Sequence, residues 1–160
     1  MGVRVVTGDG GWPLWRDARL AALTDAPQAF KSRPEDWDRG GEDAWRERYA
    51  TPGAHNLVAS LDGRTVGMAR GVPEGDGIAA LHSVWVAPGA RGHGVGDRLI
   101  TAVETWARRT GARTLRLEVL PGNDTAIALY RRHGFALAAQ RGVVPGDGVT
   151  RELVMEKPLE

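Results

Sequence analysis

A glycine-rich segment, Arg91-Gly92-His93-Gly94-Val95-Gly96, lies between a predicted strand and the strongest predicted helix. Glycine lets backbone N–H groups approach a ligand closely, and the N-terminus of a helix favours an anion. Arg91 adds a permanent positive charge of the kind that binds phosphate. The segment therefore predicts a pyrophosphate site. The alternative is a glycine-rich turn between a strand and a helix that binds nothing.

This segment differs from the standard nucleotide-binding loops. Asp97 occupies the place of the third glycine in a dinucleotide-binding G-x-G-x-x-G fingerprint, and the chain has no Gly-Lys pair for a Walker loop. No serine lies in a Gly-x-Ser-x-Gly nucleophile motif. The chain has no cysteine, and its four histidines lack metal-ligand spacing. We therefore predict neither a cysteine nucleophile nor a bound metal.

A second motif runs from Asn123 to Tyr130 and is followed by Gly134-Phe135. Asn123 and Tyr130 are seven residues apart, so on a helix they lie on nearly the same face. That face can hold a small polar group of a ligand between the two side chains. The alternative is that Asn123 caps the helix and Tyr130 is an ordinary core tyrosine.

Together the two motifs resemble the signatures of the GNAT superfamily of N-acetyltransferases. The Arg/Gln-x-x-Gly-x-Gly/Ala pattern of that superfamily is matched by residues 91–96. Its second signature is matched by Asn123, Ala126, Leu129-Tyr130 and Gly134-Phe135. The spacing between the two blocks fits one helix and one strand, as it does in the superfamily.

The resemblance implies that acetyl-CoA is the donor and an amine is the acceptor. Backbone amides of residues 91–96 would hold the pyrophosphate, and backbone groups of residues 84–86 would pair with the pantetheine arm. Asn123 would hydrogen-bond the cofactor or its bound water, and Tyr130 would protonate the departing CoA thiolate. The residues expected at the cofactor are Val84, Trp85, Val86, Arg91, Gly92, His93, Gly94, Val95, Gly96, Asn123, Ala126 and Tyr130.

An alkyl amine is mostly protonated at neutral pH, so its acetylation needs a base. Glu118 lies in the sequence Leu117-Glu118-Val119. Some ribosomal-protein N-terminal acetyltransferases of the superfamily use the glutamate of that sequence as the base, but strand alternation also fits a solvated, outward carboxylate. His82 is the second candidate, since a reference pKa of about 6.5 suits a base at neutral pH. The alternative for His82 is an ordinary histidine on a half-buried strand.

The segment from residue 35 to residue 47 is rich in carboxylates and contains Trp37 and Trp45. The resemblance implies that this part of the chain lines the acceptor site. Carboxylates beside aromatic rings attract a cationic amine. The arginines in the same stretch predict instead a solvated loop whose charges cancel.

Three hypotheses for the function follow. The first is a small-molecule amine N-acetyltransferase. The second is a protein or peptide N-terminal acetyltransferase, which the Leu-Glu-Val sequence around Glu118 favours. The third is an acyl-CoA-binding domain without turnover, against which the retained Tyr130 argues.

Hydrophobic patterning predicts the elements that position these residues. Apolar residues recur at helical spacing over 95–109, and 113–120 alternates as a strand does. Asp62-Gly63 between two strand patterns predicts a hairpin. The predicted order, β-α-α-β-β-β-α-β-α-β-β, is that of a mixed α/β domain around a central sheet. The resemblance implies a mostly antiparallel sheet, about four flanking helices and a strand splayed at the acetyl-CoA site.

Length and composition restrict the class of protein. The 160 residues, 42% of them hydrophobic, predict one domain over 1–160. The apolar runs are too short for a membrane span, and a formal net charge of +1 argues against a nucleic-acid partner. Neither a signal peptide nor a myristoylation pattern is found, so we expect a cytoplasmic protein. A homodimer is compatible with the resemblance.

Overall fold

The computed structural model describes residues 2–6, 11–26, 34–143 and 151–159. Its strands are β1 (Gly2–Val6), β2 (His55–Leu61), β3 (Arg64–Gly75), β4 (Ile78–Val86), β5 (Thr114–Val119), β6 (Ala136–Val143) and β7 (Arg151–Pro158). Its helices are α1 (Trp12–Asp25), α2 (Pro34–Asp38), α3 (Gly41–Tyr49), α4 (Val95–Arg109) and α5 (Asp124–Arg132), with a 3₁₀ turn at Pro88–Ala90. The strands form one sheet in the order β1-β2-β3-β4-β5-β7-β6.

The sheet is mostly antiparallel, and its parallel pair, β4 and β5, is joined by α4. That pair is short: it runs only from Ile78 opposite Thr114 to Ala80 opposite Arg116. Beyond these residues the two strands are no longer paired, which leaves a gap in the middle of the sheet. The structure thus confirms the predicted fold class, including the splayed strand.

Apolar residues cover both faces of the sheet. On one face, called the α4 face, Leu99 and Val103 of α4 pack against Leu81 and Leu115. Helices α1, α2 and α3 cover the other face, called the α1 face. There, Trp15 and Trp45 are almost fully buried and belong to the same cluster as Met68 and Trp85. Because α1 carries only a weak apolar stripe, its position depends on these large aromatic contacts.

A β-bulge at Ser83 changes which side chains of β4 face α1. Ser83 has a φ of +59°, and the pairing with β3 shifts between Arg70 opposite His82 and Met68 opposite Trp85. In a regular strand, residues three apart point to opposite faces. The bulge inserts an extra residue, so His82 and Trp85 both lie on the α1 face. Alternation along the sequence does not predict this arrangement.

The structure agrees with the predicted order of elements and differs in detail. Asp62 and Gly63 both have positive φ, as the predicted two-residue hairpin requires. The prolines and the Gly-Gly pair of residues 25–41 predict a loop there, but Pro34 begins the short helix α2, because proline suits the first turn of a helix. Residues 27–33 of that stretch lie outside the described part of the chain.

Gly71 of β3 allows α4 to pack closely on the sheet. A Cβ atom at Gly71 would lie 2.4 Å from Cζ3 of Trp106, whose ring is stacked on His55 at a centroid distance of 5.4 Å. We expect Gly71→Ala to lower the free energy of unfolding by about 1–3 kcal/mol, since overpacking forces a rigid ring to move. Urea unfolding measures this. Gly89→Ala, where the added Cβ meets no atom within 4 Å, is the control, and equal losses in both variants would contradict the packing argument.

Candidate active site

A cavity of about 1090 Å³ lies at the gap between β4 and β5. Its walls come from the end of α1, the end of β4, the glycine-rich loop, the start of α4, and the segment from Leu120 into α5. Ligand pockets in proteins usually hold about 300–1,000 Å³, so this cavity suits a large ligand. It reaches both faces of the sheet, because Trp85 of the α1 face and Leu129 of the α4 face line it.

The glycine-rich loop presents backbone amides to this cavity. Gly92 and Gly94 have φ values of +84° and +78°, which only glycine adopts readily. Gly94 is the N-cap of α4, and no side chain caps that helix. The first-turn amides are therefore open to an anion from the cavity, and the helix dipole favours it. Arg91 and Arg132 also line the cavity, where each is paired with an acid of the same wall, Asp25 and Asp97 respectively.

Asp25, the last residue of α1, connects that helix to the glycine-rich loop. Its Oδ2 atom accepts a hydrogen bond from Trp85 Nε1 at 3.0 Å and one from Arg91 Nη2 at 2.8 Å. Arg91 Nε also donates to the carbonyl oxygen of Val86 at 3.2 Å. The guanidinium that the sequence predicts at a phosphate is thus bound to a carboxylate and to the end of β4.

Helix α5 brings Tyr130 to the cavity. The Asn123 side chain accepts a hydrogen bond from the Ala126 amide at 3.4 Å, so it caps the helix while lining the cavity. Tyr130 is buried, and its ring packs against Phe135 at a centroid distance of 6.0 Å. Burial raises the pKa of Tyr130 to about 12, because the phenolate would lose its hydration. The phenol therefore stays protonated well above neutral pH.

The two candidate bases lie on opposite sides of the gap. His82 is two residues beyond Ala80 on β4, and Glu118 is two residues beyond Arg116 on β5, where the pairing of these strands ends. Glu118 alternates with the buried residues Leu117 and Val119, so its exposed side chain lies on the α1 face, as that of His82 does. Neither residue lines the cavity itself.

His82 lies in an electrostatic environment that favours its neutral form. Although part of its side chain is exposed, its pKa lies below the usual 6.5, mainly because the surrounding protein desolvates the ring. Arg70 and Arg19 lower this pKa further, and Glu74 raises it. At neutral pH the imidazole is therefore available to accept a proton.

The comparisons with known proteins agree with this geometry. The family model described as "Acetyltransferase (GNAT) family" matches residues 20–135. The chain belongs to the GNAT acetyltransferase family. It is similar to the IAA acetyltransferase of Azospirillum brasilense, with 38% identity over 114 residues that cover 71% of this chain and 73% of the relative.

Two solved structures share the fold of this acetyltransferase. The ribosomal-protein-alanine N-acetyltransferase from Brucella melitensis superposes with a TM-score of 0.78 and 25% identity, over 99% of this chain and all of the other. A putative acetyltransferase from Salmonella typhimurium, solved with acetyl-CoA, superposes with a TM-score of 0.76 and 24% identity, over all of this chain and 94% of the other. These likenesses show that the chains share one fold.

The structure brings most of the predicted cofactor residues of this acetyltransferase together. All of them line the cavity except His93, whose exposed side chain lies in the loop but outside the lining. Several lining residues are not predicted from the sequence, namely Asp25, Ala26, Asp97, Leu120, Pro121, Gly122, Thr125, Leu129 and Arg132. Most of them adjoin the two motifs and could have been found from that position. Asp25 adjoins neither motif, so only the path of α1 reveals it.

The predicted acceptor segment divides into exposed acids and buried aromatics. Glu35, Asp38, Glu42, Asp43 and Glu47 are exposed, as a solvated surface requires, and the Asp36 side chain lies outside the described residues. Trp45 is buried, and its Nε1 atom donates to Asp38 at 2.8 Å. Two arginines of this face, Arg19 and Arg70, are buried.

The described residues contain neither a metal-binding cluster nor a membrane-spanning helix. Within 2–6, 11–26, 34–143 and 151–159, no three His, Cys, Asp or Glu side chains are grouped so as to hold a metal ion. In the same part of the chain, no helix combines the length and apolar character needed to cross a bilayer.

Proposed function

We propose that this acetyltransferase transfers the acetyl group of acetyl-CoA to the primary amine of a small molecule, by direct attack of the amine. The observation that carries the proposal is the open gap between β4 and β5 with Tyr130 at the cavity beside it. Backbone groups of β4 that face the gap are not used in pairing with β5 beyond Ala80. A ligand can therefore enter between the strands and reach the hydroxyl group of Tyr130.

The residues present fit acetyl-CoA. The uncapped first turn of α4 and the side chains of Arg91 and Arg132 suit its pyrophosphate. The end of β4, residues 84–86, suits its amide-bearing arm. When bound, acetyl-CoA supplies the acetyl group as a thioester and leaves as a thiolate.

Tyr130 and one residue beside the gap transfer the two protons that move in the reaction. The new C–N bond forms as the C–S bond breaks, so one proton must leave the amine and one must reach the sulfur. Tyr130 donates the second, because its raised pKa keeps the hydroxyl protonated. His82 accepts the first, because its lowered pKa keeps the imidazole neutral at pH 7. Glu118, across the gap, is the alternative base.

A peptide or protein N-terminus is the second candidate acceptor. The Leu117-Glu118-Val119 sequence favours it, because Glu118 lies on the α1 face at the gap, where an acceptor arriving from that face would meet it. The similarity to the Brucella ribosomal-protein-alanine N-acetyltransferase supports the same candidate. A non-catalytic acyl-CoA-binding domain is the third hypothesis.

Release of free thiol from acetyl-CoA, measured over a panel of small amines and short peptides, tests this function. We expect turnover with small amines at kcat/KM values at least tenfold above those of the peptides. Turnover with peptides alone would select the second candidate. If calorimetry shows that acetyl-CoA binds but no member of the panel is turned over, the enzymatic proposal is contradicted. If acetyl-CoA does not bind, the proposal that the cavity is its binding site is contradicted.

A further inference from the structure

Three arginines from three different elements converge on the α1 face. They are Arg19 of α1, Arg48 of α3 and Arg70 of β3, and we call them the arginine cluster. The guanidinium carbons of Arg19 and Arg48 both lie 4.4 Å from the centre of the Trp37 ring, and that of Arg70 lies 5.1 Å from the centre of the Trp15 ring. Arg19 and Arg70 are only 6% and 9% exposed. Buried arginines in this number are uncommon, because each loses its hydration.

The charges of the cluster repel one another. Burial, Arg70 and Arg48 together lower the pKa of Arg19 to about 10, and burial lowers the pKa of Arg70 as well. Arg48 donates a hydrogen bond to the carbonyl oxygen of Trp37, and Arg70 donates one to the carbonyl oxygen of Arg48. The Nε atom of Arg70 is buried and has no acceptor among the described residues. A bound anion would relieve this repulsion and supply that acceptor.

The cluster adjoins the gap at which we place the amine. Arg70 is the direct pairing partner of His82, and both lie on the α1 face. Arg70 and Arg19 are close enough to His82 to lower its pKa. An anionic group held by Arg70 therefore lies within one small molecule's length of an amine held at His82.

We propose that the acceptor is a small amine that also carries a carboxylate, of the kind found in amino acids, and that Arg70 and Arg19 bind this carboxylate while the amine faces His82. This inference rests on the proposed function and adds the chemical class of its acceptor. It also opposes a peptide N-terminus, because a peptide carries an amide where an amino acid carries its α-carboxylate. Glu74 lies near His82 and Glu118 lies across the gap from it, so both carboxylates adjoin the place of the amine, while the arginines hold the carboxylate of the acceptor.

The first test needs no variant. Thiol release by the wild-type enzyme with acetyl-CoA is measured for a set of L-amino acids and for the matching L-amino acid amides, each at a pH where its amine is equally protonated. We expect kcat/KM to be at least tenfold higher for the better amino acids than for their amides, a difference of about 1.4 kcal/mol. Equal values, or higher values for the amides, would overturn the inference and leave the proposed function intact. No turnover with either set, or with any other amine, means that the proposed function itself has failed.

A matched pair of arginine variants provides the second test. We expect Arg70→Gln to reduce the preference for amino acids over amides to below threefold, mainly by raising KM for the amino acids, and Arg70→Lys to restore part of it. Arg46→Gln, at an exposed arginine of α3 that pairs with Glu42, is expected to keep the wild-type preference. An unchanged preference in a folded Arg70→Gln protein shows that the cluster only supports packing. If that variant does not fold, the wild-type comparison decides.

Discussion

Tyr130→Phe is expected to lower kcat by about 100-fold and to leave the KM values for both substrates within about threefold. A positioned general acid contributes about 10²–10⁴-fold, and the variant removes only the hydroxyl. The phenyl ring keeps its contact with Phe135, so we expect little change in unfolding temperature. Thiol release under saturating substrates measures kcat.

The other tyrosine of the chain provides the control for this variant. Tyr49 lies on α3 beside Trp15, away from the residues that line the cavity, and Tyr49→Phe is expected to keep kcat within about twofold of wild type. Because the pKa of Tyr130 is about 12, the wild-type kcat is expected to show no fall between pH 8 and pH 10 from its ionisation. A Tyr130→Phe enzyme with normal kcat would show that the thiolate is protonated by another group.

His82→Gln is expected to lower kcat/KM by about 100-fold at pH 7.5, because the amine loses its proton acceptor. The pH profile supplies a more specific signature. For an acceptor amine with a pKa of about 10, log kcat/KM rises with a slope of one through the neutral range. Since the pKa of His82 lies below 6.5, the wild-type slope is expected to steepen to two below that pH. The variant is expected to keep a slope of one throughout.

Glu118→Gln separates the two candidate bases. If His82 is the base, Glu118→Gln keeps most of kcat/KM and retains the steepening at low pH. The reverse pattern, a large loss of kcat/KM in Glu118→Gln and a small loss in His82→Gln, would show that Glu118 is the base. Glu118→Gln leaves Glu74 and the two arginines near His82 unchanged, and these are the charged groups that affect the pKa of the imidazole.

Local sequence was sufficient to predict the cofactor side of the site. The glycine-rich loop and the start of α4 are contiguous in the chain, and so are Asn123, Ala126 and Tyr130 on α5. Each of these units consists of a short turn and the helix that follows it. The geometry of such a unit depends on glycines, capping residues and helical spacing. These features are visible in the residues themselves, and for that reason the predicted residues, except His93, lie around one cavity.

The acceptor side could not be predicted in the same way. Arg19 lies on one stripe of α1 with Trp12, Trp15 and Leu23, but its neighbours Arg48 and Arg70 lie 29 and 51 residues away in the chain. Trp37 and Trp45, which could have favoured a cationic amine, instead lie against arginines. Most of the described carboxylates of this segment are exposed, and Asp38 accepts a hydrogen bond from Trp45.

The sequence alone determined the family, the order of the elements and the loop that faces an anion, because these depend on contacts between near neighbours in the chain. Only the tertiary structure decided which side chains share the gap in the sheet. The bulge at Ser83 reverses the face of the strand, so His82 and Trp85 lie on the same side, which alternation does not predict. The pairing of β4 with β3 then brings His82 next to Arg70, and the packing of α1 on the same face brings Arg19 close to both. These positions depend on long-range packing, in which residues distant in sequence meet on one face of the sheet.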